Sequence, residues 1–121
     1  MIRILVADDA PFIREIVRHI VAGHKIEIVD EACNGDEAIA KAIALRPDLL
    51  LLDLVMPQRN GIDVAREVAR AAPRTKIIAM STEDQEQLVQ NALLNGCAMY
   101  LKKPFSKESL LDAIHSMAEE N

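Results

Sequence analysis

The chain reads as an α/β protein built on a mostly parallel sheet with helices on both faces, and three observations lead there. Short aliphatic runs alternate five times with stretches of helical period. The apolar half of the 121 residues is mostly Ile, Leu, Val and Ala, with two Phe, one Tyr and no Trp, so aliphatic packing between helices and sheet must supply the core. The third aliphatic run, Leu49 to Leu52, is apolar without alternation, as a central strand buried on both faces requires.

The elements follow in order. A first strand over 2–7 ends at Asp8-Asp9, and a helix carries Ile13, Ile16, Val17 and Ile20 on one side before Gly23. A second strand covers 27–32. Asn34-Gly35 then opens a helix with Asp36 and Glu37 in its first turn, Ala38, Ile39, Ala42 and Ile43 on its apolar face, and Pro47 beyond its end. The third strand, 49–52, leads to a helix marked by Ala65, Val68, Ala69 and Ala72 and closed by Pro73. A fourth strand over 76–80 precedes a helix carrying Leu88, Ala92 and Leu93, with Gly96 after it. The fifth strand, 99–101, leads to a helix that Ser106 is placed to cap, with Ser109 where a capping box has Glu, and with Leu110, Ile114 and Met117 facing inward.

Parallel strands need crossovers, and those crossovers are right-handed, so five β–α units give one sheet with helices on two faces. No linker, repeat or low-complexity segment interrupts the pattern, and residues 1–121 are expected to be one domain without an attached output domain. A net charge of −5 with no basic run argues against nucleic-acid binding. Cys33 and Cys97 have no metal-ligand spacing and read as reduced packing residues. The opening MIRILVADD meets acids too soon for a signal peptide, and no apolar run spans a bilayer, so a cytoplasmic, soluble protein is expected.

Ligands of open α/β sheets bind at the carboxyl ends of the strands. Asp8-Asp9, Asp53, Ser81-Thr82 and Lys102-Lys103-Pro104 all fall at such ends. Neighbouring carboxylates at 4 Å repel by about 4 kcal/mol at an effective dielectric near 20. A cation among Asp8, Asp9 and Asp53 offsets that repulsion, and Mg²⁺ suits because it takes a few carboxylate oxygens while keeping waters. A metal, a lysine and a hydroxyl together can hold a phosphoryl group. Any one of these residues alone would be read as a turn, a helix cap or a common dipeptide; their convergence on one rim is what points to a site. His19, His24 and His115 share no helix face or spacing that suggests a metal or phosphotransfer role, and Gln85, Gln87, Gln90 and Asn91 read first as a solvated face, with a docking surface as the alternative.

Through ADDAPFIREI, EACNGDEAI, LLLLDLVMPQRNGIDV, IIAMST and YLKKPF, the chain resembles the receiver domains of two-component response regulators from Ile2 to about Met117, and among them the stand-alone chemotaxis type. The resemblance implies the strand order 2-1-3-4-5, a flavodoxin-like receiver fold. It implies that Asp53 accepts a phosphoryl group from a sensor histidine kinase. It further implies that Asp9 ligates Mg²⁺ directly and Asp8 mainly through water, with Asp53 and the backbone carbonyl of Val55 completing the protein ligands. Ser81 would then bond a phosphoryl oxygen, Lys103 would pair with the acceptor or its phosphate, the Lys103–Pro104 peptide would be cis, and Tyr100 would swing inward as the switch aromatic. The implied protein is a monomeric switch rather than an enzyme. Its output is the binding of a partner such as a flagellar motor switch, or, alternatively, phosphoryl transfer to a histidine phosphotransfer protein.

Small departures bear on lifetime. Ser81 stands where Thr is frequent, Thr82 where a smaller residue is usual, and Val55 offers no polar group to orient water, although Glu83 is placed to reach over the site. An aspartyl phosphate is expected to persist longer here than in a receiver with a polar residue at position 55 and Ala at 82. Two other classes fit worse. A dehalogenase-type phosphatase needs a second Asp two positions after its nucleophile, where this chain has Val55; a flavin carrier would meet Asp8-Asp9 where its phosphate must bind. A receiver that docks without phosphorylation is disfavoured by the complete acidic pocket.

Overall fold

The computed structural model describes residues 1–83 and 85–119. Its elements are β1 (Ile2–Ala7), α1 (Pro11–Val21), β2 (Ile26–Ala32), α2 (Gly35–Leu45), β3 (Leu49–Asp53), α3 (Gly61–Ala71), β4 (Lys76–Ser81), α4 (Glu86–Leu94), β5 (Cys97–Lys102) and α5 (Lys107–Glu119). All strand pairs are parallel and the order is β2-β1-β3-β4-β5, as the resemblance implied.

The alternation of side chains along each strand splits the core in two. Leu5, Leu50, Leu52, Ile77 and Ala79 face α2, α3 and α4 through Ala38, Ala42, Val64, Val68 and Ala92. Ile4, Val6, Leu49, Leu51, Ile78 and Met80 face α1 and α5 through Val17, Val21, Leu110 and Ile114. Every residue of β3 is buried, which is why its sequence shows no polar alternation.

Helix ends follow their residues. Asn34 caps α2 by accepting the Glu37 amide at 2.8 Å. Ser106 and Ser109 each accept the other's backbone N–H at 3.0 Å, so the serine completes a reciprocal capping box in place of Glu. Arg46 ends α2 in the left-handed region, at φ 49°.

The differences from expectation are local. β5 begins at Cys97 rather than 99 because Ala98 is an extra residue: Ile77 pairs with Cys97 and Ile78 with Met99, a bulge that breaks the alternation. Ile16, Ile43 and Leu93 lie at the margins of their helices' apolar stripes and are exposed. Cys33 is exposed too, its thiol 3.5 Å from the Glu37 carboxylate, and only Cys97 is the packing residue expected of both. Among the described residues, no helix is long and apolar enough to cross a membrane.

Candidate functional site

The strand order puts β1, β3 and β4 side by side, and β5 next to β4, so the polar residues that end them share one rim. Asp8, Asp53, Ser81 and Lys103 are all buried there, while Asp9, Thr82 and Val55 are exposed around the mouth. One carboxylate oxygen from each of Asp8, Asp9 and Asp53 lies within 4.8 Å of the other two. Opposite oxygens around Mg²⁺ are about 4.2 Å apart at its usual bond length of about 2.1 Å, so the donor set fits such an ion in size and in chemistry.

The buried members are held by name. Lys103 Nζ lies 2.5 Å from Asp8 Oδ2 and 3.4 Å from Asp53 Oδ2, bridging the two acids. Asp8 Oδ1 accepts the Ala10 amide at 2.9 Å, and Asp53 Oδ1 accepts the Val55 amide at 3.0 Å. Burial pushes the Asp53 carboxyl up to about 6; the Val55 amide opposes the shift, the Asp8 charge adds to it, and Lys103 opposes it. A carboxylate that resists ionisation without extra positive charge is therefore built into the centre of the rim.

Ser81 Oγ accepts the Glu83 amide at 3.1 Å and keeps an O–H to donate. Lys103 is brought to the site by its own amide, which donates to the Ser81 carbonyl at 2.8 Å, and the Lys103–Pro104 peptide is cis. Tyr100 is half-buried, its hydroxyl 3.4 Å from the Ser81 carbonyl. Val55 is 62% exposed, and its bridge to Asn60 shapes the loop after β3; Glu83 lines a groove with it. The structure brings Asp8, Asp9, Asp53, Ser81 and Lys103 together, and leaves Thr82 at the edge. His19, His24 and His115 take no part, and Gln85, Gln87, Gln90 and Asn91 are exposed.

Sequence reasoning missed Arg14, whose Nη1 donates to the Asp8 carbonyl at 2.6 Å from one turn inside α1. An arginine in the first turns of the helix that follows the acid pair was the available signal.

The family model for the response regulator receiver domain matches residues 4–115. The chain is 34% identical to the chemotaxis protein CheY of Thermotoga maritima over 97% of its own length and 98% of that protein's. It is 40% identical to the transcriptional regulatory protein PdtaR of Mycobacterium tuberculosis over 93% of its length, but only 54% of that longer protein. Among solved structures, the complex of CheX, CheY, BeF₃ and Mg²⁺ from Borrelia burgdorferi contains a similar chain, with a TM-score of 0.90 at 26% identity, covering 95% of this chain and 87% of that one. With a matching family model over nearly its whole length, a shared fold and the acidic rim in place, the chain belongs to the response regulator receiver domains.

Proposed function

We propose that this chain is a phosphorylation switch of the stand-alone chemotaxis kind, in which Asp53 is the acceptor. The observation that carries the reading is the meeting of the Asp8, Asp9 and Asp53 carboxylates at one rim, where Lys103 Nζ bridges the two buried acids. Asp53 Oδ attacks the phosphorus of a phosphohistidine on a sensor kinase; the O–P bond forms, the P–N bond breaks, and the histidine is released. Asp9, Asp53 and the Val55 carbonyl, with Asp8 mainly through water, would hold a Mg²⁺ ion, which when bound would supply positive charge for the phosphoryl oxygens.

The remaining roles fall to the chain itself. Lys103 contributes a second, compact positive charge beside the acceptor. Ser81 donates its hydroxyl to a phosphoryl oxygen, and Tyr100, hydrogen-bonded to the Ser81 carbonyl, follows the movement of β4. Thr82 and Val55 limit the approach of water. The altered surface then binds a protein, and the relatives named for chemotaxis favour a flagellar-type target over a histidine phosphotransfer protein. We place the chain in the cytoplasm, as a monomer whose residues 1–121 act as one domain.

Intact-mass spectra after incubation with acetyl phosphate test the acceptor. One phosphoryl adduct is expected in the presence of Mg²⁺, none with EDTA, and none in Asp53→Asn. Failure of wild type to form the adduct where another receiver does so would leave the docking-only reading in its place.

A further inference from the structure

The three acids of the rim are not held alike. Asp8 is fixed by Lys103 and the Ala10 amide, and Asp53 by the Val55 amide and Lys103. Among the described residues, the Asp9 carboxylate has no hydrogen-bond or ion-pair partner, and it is exposed. Its place in the triad therefore depends on the backbone that launches it. The peptide plane between Asp8 and Asp9 contains the Asp8 carbonyl, and rotation of that plane moves the Asp9 Cα.

That plane is held through its carbonyl, and the peptide before it through its amide. The Asp8 amide donates to the Ala32 carbonyl of β2 at 3.0 Å, and the Asp8 carbonyl accepts Arg14 Nη1 at 2.6 Å. The Arg14 guanidinium is itself held, because its Nε donates to Glu31 Oε1 at 2.9 Å, and Arg18 bonds the other Glu31 oxygen. A planar fork anchored at one edge points the other edge in a fixed direction. We infer that Arg14, oriented by Glu31, is a positioning residue for the cation site: it fixes the Asp8–Asp9 peptide so that the otherwise unheld Asp9 carboxylate meets those of Asp8 and Asp53.

The inference rests on the metal role proposed for the three acids. Groups that orient metal ligands without touching the ion change affinity by about 10- to 100-fold when removed. Arg14 sits far from the helix-capping arginines at the other end of the sheet. Arg46, for instance, donates to the Ile43 and Ala71 carbonyls where α2 and α3 end. It supplies the control for stability alone.

Isothermal titration of the whole chain with MgCl₂ reads the effect without phosphorylation, alongside thermal melts in EDTA. Wild type is expected to bind one Mg²⁺, Arg14→Ala about tenfold more weakly, and Glu31→Gln more weakly than wild type by a smaller factor. Arg14→Lys, whose single ammonium cannot serve carbonyl and carboxylate in the same fork, is expected to recover part of the loss. Arg46→Ala is expected to melt lower than wild type yet bind Mg²⁺ equally. Arg14→Ala and Glu31→Gln that both bind Mg²⁺ within twofold of a binding-competent wild type would overturn the inference and leave the metal site standing. If Arg14→Ala does not fold, Glu31→Gln and Arg14→Lys decide between the same two results. A wild type that binds no Mg²⁺ would remove both the inference and the metal site beneath it.

Discussion

In the proposed role Asp53 carries two opposed demands, since an acceptor must be buried to keep water from its phosphate and ionised to act as a nucleophile. Its carboxyl titrates near 6 in the folded chain and near 3.8 when free. An acid whose folded value is raised contributes stability below its unfolded value and loses it as pH rises through the folded value. In EDTA, Asp53→Asn is therefore expected to raise the stability of the chain at pH 7.5 by about 1–2 kcal/mol, with solvent at the mouth screening part of the full shift. The gain should shrink towards zero as pH falls to about 4, below which wild-type Asp53 is neutral in both states. Denaturant melts across that range check the sign, and a pH-independent difference would mean that the Asn acts by packing instead. Lifetime belongs to the same scale. Val55 is largely exposed beside the proposed acceptor and its side chain has no polar atom to hold an attacking water, while Thr82 adds bulk at the opening. Val55→Asn and Thr82→Ala are each expected to speed loss of the aspartyl phosphate several-fold, measured as decay of the phosphorylated mass after donor is removed. Decay at the wild-type rate in both variants would exclude these side chains as the barrier to water.

Among the elements, the loop between β3 and α3 leaves no room for a side chain at Gly61. A Cβ on Gly61 would lie 2.4 Å from the Leu54 Cα and 2.5 Å from the Leu54 carbonyl oxygen, so backbone rather than a flexible side chain must yield. Leu54 directly follows Asp53, and its amide donates to the Met80 carbonyl at 2.9 Å, which makes the strain reach the site. Gly61→Ala is expected to cost about 2–3 kcal/mol in chemical melts and to slow phosphorylation. Gly23→Ala has open space around it and a φ of 81°, so its cost is only the left-handed backbone, about 1 kcal/mol, with phosphorylation unchanged. The elements were also where the sequence was most legible. The unbroken run Leu49–Leu52 announced a central strand because both of its faces are covered, and Asn34 and Ser106 announced helix starts because their side chains bond the first-turn amides. The bulge at Ala98 was not legible, since nothing in Cys97-Ala98-Met99 says that two residues oppose one. Nor was the exposure of Cys33, because burial of a small apolar residue after a strand depends on what the next turn covers. Of the site, the acids, Ser81 and Lys103 could be read from their positions at strand ends. The amides that hold Asp8 and Asp53, and the reach of Arg14 to a carbonyl, belong to the folded turns and have no counterpart in residue type.

For the whole molecule, folding creates the repulsion that a cation then relieves. Asp8 and Asp9 lie 44 or more positions from Asp53 in the chain, and only the order β1-β3 in the sheet brings their carboxylates within 4.8 Å. The unfolded chain has no such cluster, so an ion that binds it favours the folded state by RT ln(1 + [L]/Kd). At a Mg²⁺ concentration ten times the dissociation constant this is about 1.4 kcal/mol, or roughly 4–6 °C in melting temperature for a domain of this size. The increment depends on an ionised Asp53, whose carboxyl titrates near 6, so protons and Mg²⁺ compete for it. Melts with and without Mg²⁺ are therefore expected to differ clearly at pH 7.5, to converge by about pH 5, and to coincide at every pH in Asp53→Asn. Equal stabilisation of wild type and Asp53→Asn would place the bound ion elsewhere on the acidic surface. A wild-type increment that held its size down to pH 5 would show that the ion is held by Asp8 and Asp9 without the acceptor.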